Sequence, residues 1–200
     1  NRASTQHALL PACGRRRLLI LLRTLAQIST SQENALEAQT GAEGKPLFNA
    51  RCETIGEKAS FKNGYQNHRC LIPASGFYEW EHHGSKKQPY YIGLTRWKPF
   101  AMAGIMEQWE SPSGELIQSC SVLTTEANSI LQPFHHRMPV ILSPQNYLLW
   151  LSGETSELPP LFAPFPAANM QAVAVSTYVN NSKNDGPTCI KPAPIQQKLF

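Results

Sequence analysis

The chain has 200 residues, 42% of them hydrophobic and 16% charged. That length suits one domain, or two small ones, and buries enough surface to fold without disulfides or metal. Charge this scarce, against about 25% in ordinary globular proteins, excludes a disordered or coiled-coil chain; the longest apolar run, Leu18–Leu22, is too short to span a membrane.

The net charge of +4 is local. Residues 1–32 carry Arg2, Arg15, Arg16, Arg17 and Arg23 and no acid, so the remainder is slightly acidic. Global basicity therefore says nothing about the main domain, and any nucleic-acid argument rests on local residues. Cys13, Cys52, Cys70, Cys120 and Cys189 are widely spaced and form no CxxC. Neither a zinc site nor a disulfide framework is expected, and a reducing compartment fits.

In chain order, residues 1–44 form an atypical basic segment rich in Arg, Leu, Ser, Thr and Gln. No Met opens it, which suggests a fragment, a processed form or an altered start. Its composition resembles a transit peptide more than a secretory signal. Leu18–Leu36 is expected to be helical. Residues 45–200 form the main domain. Strands are expected at Phe77–Trp80, Pro89–Leu94, Phe100–Met106, Gln118–Thr124 and Ala172–Val175, rich in aromatic and β-branched residues. Asn63-Gly64, Ser75-Gly76, His83-Gly84, Ser113-Gly114 and Asp185-Gly186 read as turns. Helices are expected at Glu126–Leu131, capped by Thr124 or Thr125, and at Pro144–Leu151, capped by Ser143. Leu158–Pro166, with four prolines, reads as a surface loop. The sum is a β-rich α+β single domain with short flanking helices.

P-loop, GxGxxG, HExxH and GxSxG motifs do not occur. Four polar clusters stand out instead. Phe48–Thr54 crowds Asn49, Arg51 and Glu53 together, either as a solvated strand edge or as a site. In Arg69–Trp80, Glu79 lies inside an aromatic strand. If buried, its pKa rises and it is a candidate acid or base; strict alternation would instead turn it to water. In Phe134–Pro139, His135 and His136 should face opposite ways if extended, so one catalytic His or a structural His is expected rather than a metal pair. Val179–Gly186 is either a flexible loop or a phosphate-contacting one.

These clusters, in this order from about Lys45 to Ile190, resemble the SOS response-associated peptidase (SRAP) family, also called abasic-site processing proteins. Asn49–Thr54, Arg69–Trp80, Thr124–Asn128, His135–Leu142 and Val179–Gly186 carry the resemblance. It implies SRAP-like mixed sheets, binding of single-stranded DNA with abasic sites, and capture of the abasic aldehyde by an N-terminal cysteine exposed through peptidase-type self-processing. Both nucleophiles must sit on one residue: the α-amine forms a Schiff base and the thiolate adds to it, closing a thiazolidine. Cys13-Gly14-Arg15 matches the family's opening Cys-Gly-Arg, with Arg16 where an aromatic is usual. By this resemblance Cys13, Asn49, Glu79 and His135 are catalytic: Asn49 orients the sugar, Glu79 shuttles a proton, and His135 rather than His136 is the catalytic histidine. Arg15, Arg51 and Arg137 lie near the DNA backbone, where guanidinium forks suit phosphates. Trp80 stacks on a base. No cofactor and no metal is implied, and the protein is expected to be an intracellular monomer, with organelle targeting open. A non-catalytic DNA-binding module and a thiol peptidase acting through Cys13 and His135 are the alternatives.

Overall fold

The structure is a computed structural model that describes residues 47–110, 114 and 116–193. The expected helix at 18–36, Cys13 and Arg15 lie outside the described residues. In chain order the elements are β1 (Asn49–Arg51), α1 (Ala59–Asn67), β2 (Arg69–Ala74), β3 (Phe77–His83), β4 (Lys86–Leu94), β5 (Phe100–Glu110), β6 (Leu116–Glu126), β7 (Arg137–Pro139), β8 (Ile141–Leu142), α2 (Tyr147–Ser152) and β9 (Met170–Ala174). Short 3-10 turns join many of them. The class is α+β and β-rich, with mixed sheets and two short helices.

The larger sheet runs β1-β6-β5-β2, with β7 also paired to β6 and β8 to β5; the smaller runs β3-β4-β9. Alternation along the strands sorts the apolar side chains into two cores. Ile72, Met102, Cys120 and Val122 face one way and pack with Phe77, Ile92 and Met170 of the smaller sheet. Ala50, Ala103, Ile105 and Leu123 face the other way and pack with Phe61 and Tyr65 of α1 and Trp150 of α2. The larger sheet is therefore covered on both faces, by helices on one and by the second sheet on the other.

β5 and β6 form a long antiparallel hairpin from Gly104↔Val122 outwards. Beyond that pair they diverge, and the segment 137–142 wedges into the gap. Its first half pairs with β6, Thr124↔Pro139 to Glu126↔Arg137, and its second with β5, Met102↔Ile141. Val140 stitches the two: its N–H donates to the Leu123 carbonyl, and its carbonyl accepts from the Ala103 N–H, both at 2.9 Å.

All five expected strands form, several of them longer than their sequence signal. Two local expectations are corrected. Glu126–Leu131 is not a helix: Glu126 ends β6, and residues 129–134 are successive turns. Asn128 starts these turns, its Oδ1 accepting from the Ile130 and Leu131 N–H groups at 3.1 and 3.2 Å in the manner of an N-cap, but they end at Phe134 without becoming a helix. Conversely Asn63-Gly64 is not a turn but lies inside α1. Glycine is needed there because a Cβ on Gly64 would sit 3.0 Å from the Met106 carbonyl oxygen of β5.

Candidate functional site

Asn49 comes to the site through β1, which pairs in parallel with β6, Asn49↔Val122 and Ala50↔Leu123. Ala50 is fully buried in the helix-side core. By alternation Asn49 and Arg51 face the opposite way, toward the smaller sheet. Asn49 is half-buried and Arg51 exposed.

Glu79 reaches the same cleft from the other sheet. β3 pairs with β4 as Phe77↔Ile92, Tyr78↔Tyr91, Glu79↔Tyr90 and Trp80↔Pro89. Phe77 and Ile92 point into the inter-sheet core. Glu79, two residues on, shares their face and is half-buried. Alternation thus turns Glu79 inward, and the same alternation turns Trp80 to the outer face. There the Trp80 indole N–H donates to Asn180 Oδ1 at 2.7 Å.

His135 is delivered by the loop 127–136. The loop is closed at its neck by the Ala127 N–H donating to the His136 carbonyl, 3.1 Å. Asn128 folds its interior and ties it down, Nδ2 donating to the Phe165 carbonyl at 2.7 Å. Phe134 packs on Tyr90 with ring centroids 4.6 Å apart. Since Tyr90 is the cross-strand neighbour of Glu79, this contact brings His135 to the Glu79 end of the cleft. His135 Nδ1 lies 3.1 Å from the Arg137 N–H and 3.0 Å from the Arg137 carbonyl. The backbone of Arg137 thereby fixes the ring and leaves Nε2 as the edge for chemistry. His135 and His136 do not diverge as an extended pair would. Their rings lean together at 4.5 Å, with His135 half-buried and His136 exposed.

The Arg137 side chain turns back toward β1. Nη1 donates to Glu53 Oε1 at 2.5 Å, and Nη2 to Glu53 Oε2 at 2.8 Å and to the Thr124 carbonyl at 2.5 Å. Its Nε is buried and finds no acceptor among the described residues. The guanidinium holds the Glu53 carboxyl below the usual carboxylate range, and a phosphate at Arg137 would have to share the fork with it. Cys52, next to Glu53, is buried, and that burial pushes its thiol up, away from nucleophilic thiolate. Of the sequence-selected residues, Asn49, Arg51, Glu79 and His135 gather on the inter-sheet side, Arg137 braces them, and Trp80 lies on the far face of β3.

The fourth cluster folds on itself. Asn184 Nδ2 donates to the Tyr178 carbonyl at 2.7 Å, and Asn181 Oδ1 accepts from the Lys183 N–H at 3.1 Å. Its amides build the loop, and Asn180 holds Trp80. Two positioning residues were not singled out beforehand. Asn128 stood only at the end of the Thr124–Asn128 stretch and inside the expected helix, and the role of Tyr90 depends on strand pairing that a single sequence does not display.

Comparisons with known proteins identify the family and the fold. Residues 30–182 match the family described as SOS response associated peptidase (SRAP). The chain is 40% identical over 152 residues to the abasic site processing protein YoqW of Bacillus subtilis, covering 74% of this chain and 68% of YoqW. It is 35% identical over 171 residues to the abasic site processing protein HMCES of Xenopus tropicalis, covering 75% of this chain and 51% of HMCES. A crystal structure of a Bacteroides thetaiotaomicron protein superposes with a TM-score of 0.68 at 35% identity, over 73% of this chain and 66% of that one.

Proposed function

The chain belongs to the SOS response-associated peptidase family, and from that premise we propose that it processes abasic sites in single-stranded DNA by a covalent crosslink through Cys13. The observation that supports the reading is that Asn49 on β1 and Glu79 on β3 belong to the facing sides of the two sheets, while the loop carrying His135 is anchored through Phe134 on Tyr90, the cross-strand partner of Glu79. Three polar residues brought from separate elements to an otherwise apolar inter-sheet face suit a reaction better than they suit folding.

The chemistry needs the Cys13 α-amine, so self-processing must first expose it. An abasic sugar is mostly a closed hemiacetal. Glu79 takes the anomeric hydroxyl proton and passes it to the ring oxygen as the ring opens to the aldehyde. The amine adds to the aldehyde carbon, and its two protons pass in turn to the former carbonyl oxygen, Glu79 relaying the second, so that this oxygen leaves as water. The thiol sulfur then adds to the imine carbon, its proton passes to nitrogen, and the thiazolidine closes. Asn49 hydrogen-bonds and orients the sugar, and His135 Nε2 exchanges protons at the same carbon's oxygen. Arg51, at the exposed mouth of the cleft, meets the flanking phosphate, with Arg15 and Arg137 in the same role. Binding to single strands is accordingly salt-dependent.

The test compares the 200-residue chain with a version whose first residue is Cys13, each incubated with an abasic oligonucleotide and run on a denaturing gel. A shifted band from the Cys13-first version, lost on Cys13→Ala, is the expected result. A shifted band that survives Cys13→Ala overturns the assignment and points to another nucleophile such as Lys183. Tight single-strand binding with no shifted band from any version would leave a DNA-binding module without the chemistry.

A further inference from the structure

Four aromatic rings cross the outer face of the smaller sheet, the face turned away from Glu79. Their centroids step 6.4 Å from Trp80 to Tyr78, 5.2 Å to Tyr91 and 5.0 Å to Trp97. Trp80 and Tyr78 alternate along β3, and Tyr91 is the cross-strand partner of Tyr78. Trp97 belongs to no strand. It joins the row because Arg96 and Trp97 both take left-handed backbone angles, φ 62° and 52°. Two successive side-chain-bearing residues in that region are sterically costly. The fit that holds them is tight: the indole lies over Gly93, where a Cβ would be 3.0 Å from its ring.

This strained turn does not bury the indole. Trp97 stacks on Tyr91 at 24° between planes and remains 40% exposed. One face rests on the sheet and the other meets solvent. Arg96 and Lys98 flank it, both exposed and neither paired with an acid among the described residues. A flat π surface between two unpaired cations complements a ligand that alternates flat rings with anions. That ligand is single-stranded nucleic acid, its base stacking on the indole and its phosphates meeting the cations.

We propose that the Arg96–Trp97–Lys98 loop is a second contact for single-stranded nucleic acid, binding a nucleotide outside the cleft; this rests on the single-strand binding proposed above. The route is short. β3 is the outer strand of its sheet, and its consecutive residues Glu79 and Trp80 face opposite sides. Tyr78 and Tyr91, in the middle of the row, pack against Val175, Val179 and Cys189, so a strand leaving the cleft over this edge meets Trp80 at one end of the row and Trp97 at the other.

The experiment measures binding of the full chain to oligothymidylates of about three and about twelve nucleotides, the short one filling the cleft alone. Trp97→Ala should weaken the longer oligonucleotide about tenfold and leave the shorter unchanged. Trp97→Phe should restore most of the loss. Arg96→Ser with Lys98→Ser should reduce the salt slope for the longer oligonucleotide by about one, and this pair carries the test if Trp97→Ala fails to melt as wild type does. Unchanged affinity for the longer oligonucleotide, or equal losses for both, overturns the proposal while leaving cleft binding intact. Failure of the wild-type chain to bind either oligonucleotide overturns the single-strand reading and this proposal together.

Discussion

Arg137 grips Glu53 with both arms of its guanidinium, and the two residues belong to segments 84 positions apart. Glu53 follows β1, which carries Asn49; Arg137 opens β7, directly after the His135 loop. β6 pairs with both β1 and β7, and the ion pair adds a side-chain tie between the segments that carry Asn49 and His135.

Its contribution should depend on pH. The Glu53 carboxyl is held below its ordinary value of 4.5, chiefly by the Arg137 hydrogen bonds. A carboxylate with a depressed folded pKa stabilises the fold above its unfolded pKa, and that stability fades as pH falls through the folded pKa. Glu53 is 47% exposed, so screening limits the effect to about 1 kcal/mol. Glu53→Gln should lower the melting temperature at neutral pH, and the gap from wild type should narrow as pH falls below the ordinary carboxylate value of 4.5 and on through the lowered folded value. A gap of the same size in acid would show that the pair acts through shape and not charge.

Arg69 has a purely structural task of unusual concentration. Its guanidinium donates to the Trp150 and Gly153 carbonyls at 2.6 Å each and to the Tyr65 carbonyl at 2.8 Å. It thus caps the C-terminal ends of α1 and α2 together, where their dipoles favour a cation. Arg69→Met should cost about 3 kcal/mol in urea unfolding, since several carbonyls lose a charged partner at once. Arg69→Lys should recover little, because an ammonium cannot fork to carbonyls on two helices. Full recovery by Lys would contradict the capping geometry.

At Gly64 two effects compete. Inside a helix, Ala is favoured over Gly by about 1 kcal/mol. Against that, the added methyl would meet the Met106 carbonyl oxygen at 3.0 Å and crowd Glu107, whose Oε1 accepts from the Gly64 N–H at 2.6 Å. Overpacking of this kind costs about 1–3 kcal/mol. Gly64→Ala should therefore be net destabilising, and a raised denaturation midpoint would mean that α1 shifts freely on β5.

For the chemistry, Glu79→Gln and His135→Ala should each slow adduct formation by about 10²–10⁴-fold, the range for a positioned acid or base. His136→Ala should change the rate far less, since His136 is exposed and the Phe134 anchor belongs to the His135 side. Rates would be followed by denaturing gel on the Cys13-first version. Equal losses at both histidines would remove His135 from its role.

The strands were legible because aromatic and β-branched runs bounded by Gly turns state their own conformation, as at Phe77–Trp80 between Ser75-Gly76 and His83-Gly84. The inward aim of Glu79 was half legible: alternation is certain, but which face is buried depends on a sheet the local sequence does not name. The hidden parts depend on partners far along the chain. Gly64 reads as a turn until Met106 is seen lying against it. Asn128 falls inside the expected helix, and only the structure shows it capping a short run of turns and reaching across to the Phe165 carbonyl. Trp97 reads as an ordinary loop residue, and only the backbone angles and Tyr91 show what it is for.

The stitch at Val140 sets an order of assembly. The β5–β6 hairpin is local and closes early, whereas the 137–142 segment can seat itself only after that hairpin has opened its far end. A half-folded chain would thus hold most of its sheet and still lack the His135 loop, so the proposed reactivity toward aldehydes would be a late acquisition that arrives with the last hydrogen bonds. The same seam should govern the reverse process. Backbone amides of Val140 and Ala103 should exchange with solvent only when the whole molecule opens, while amides in the 177–186 loop exchange orders of magnitude sooner. Deuterium uptake at Val140 as fast as in that loop would mean that the wedge swings out by itself, and with it the histidine.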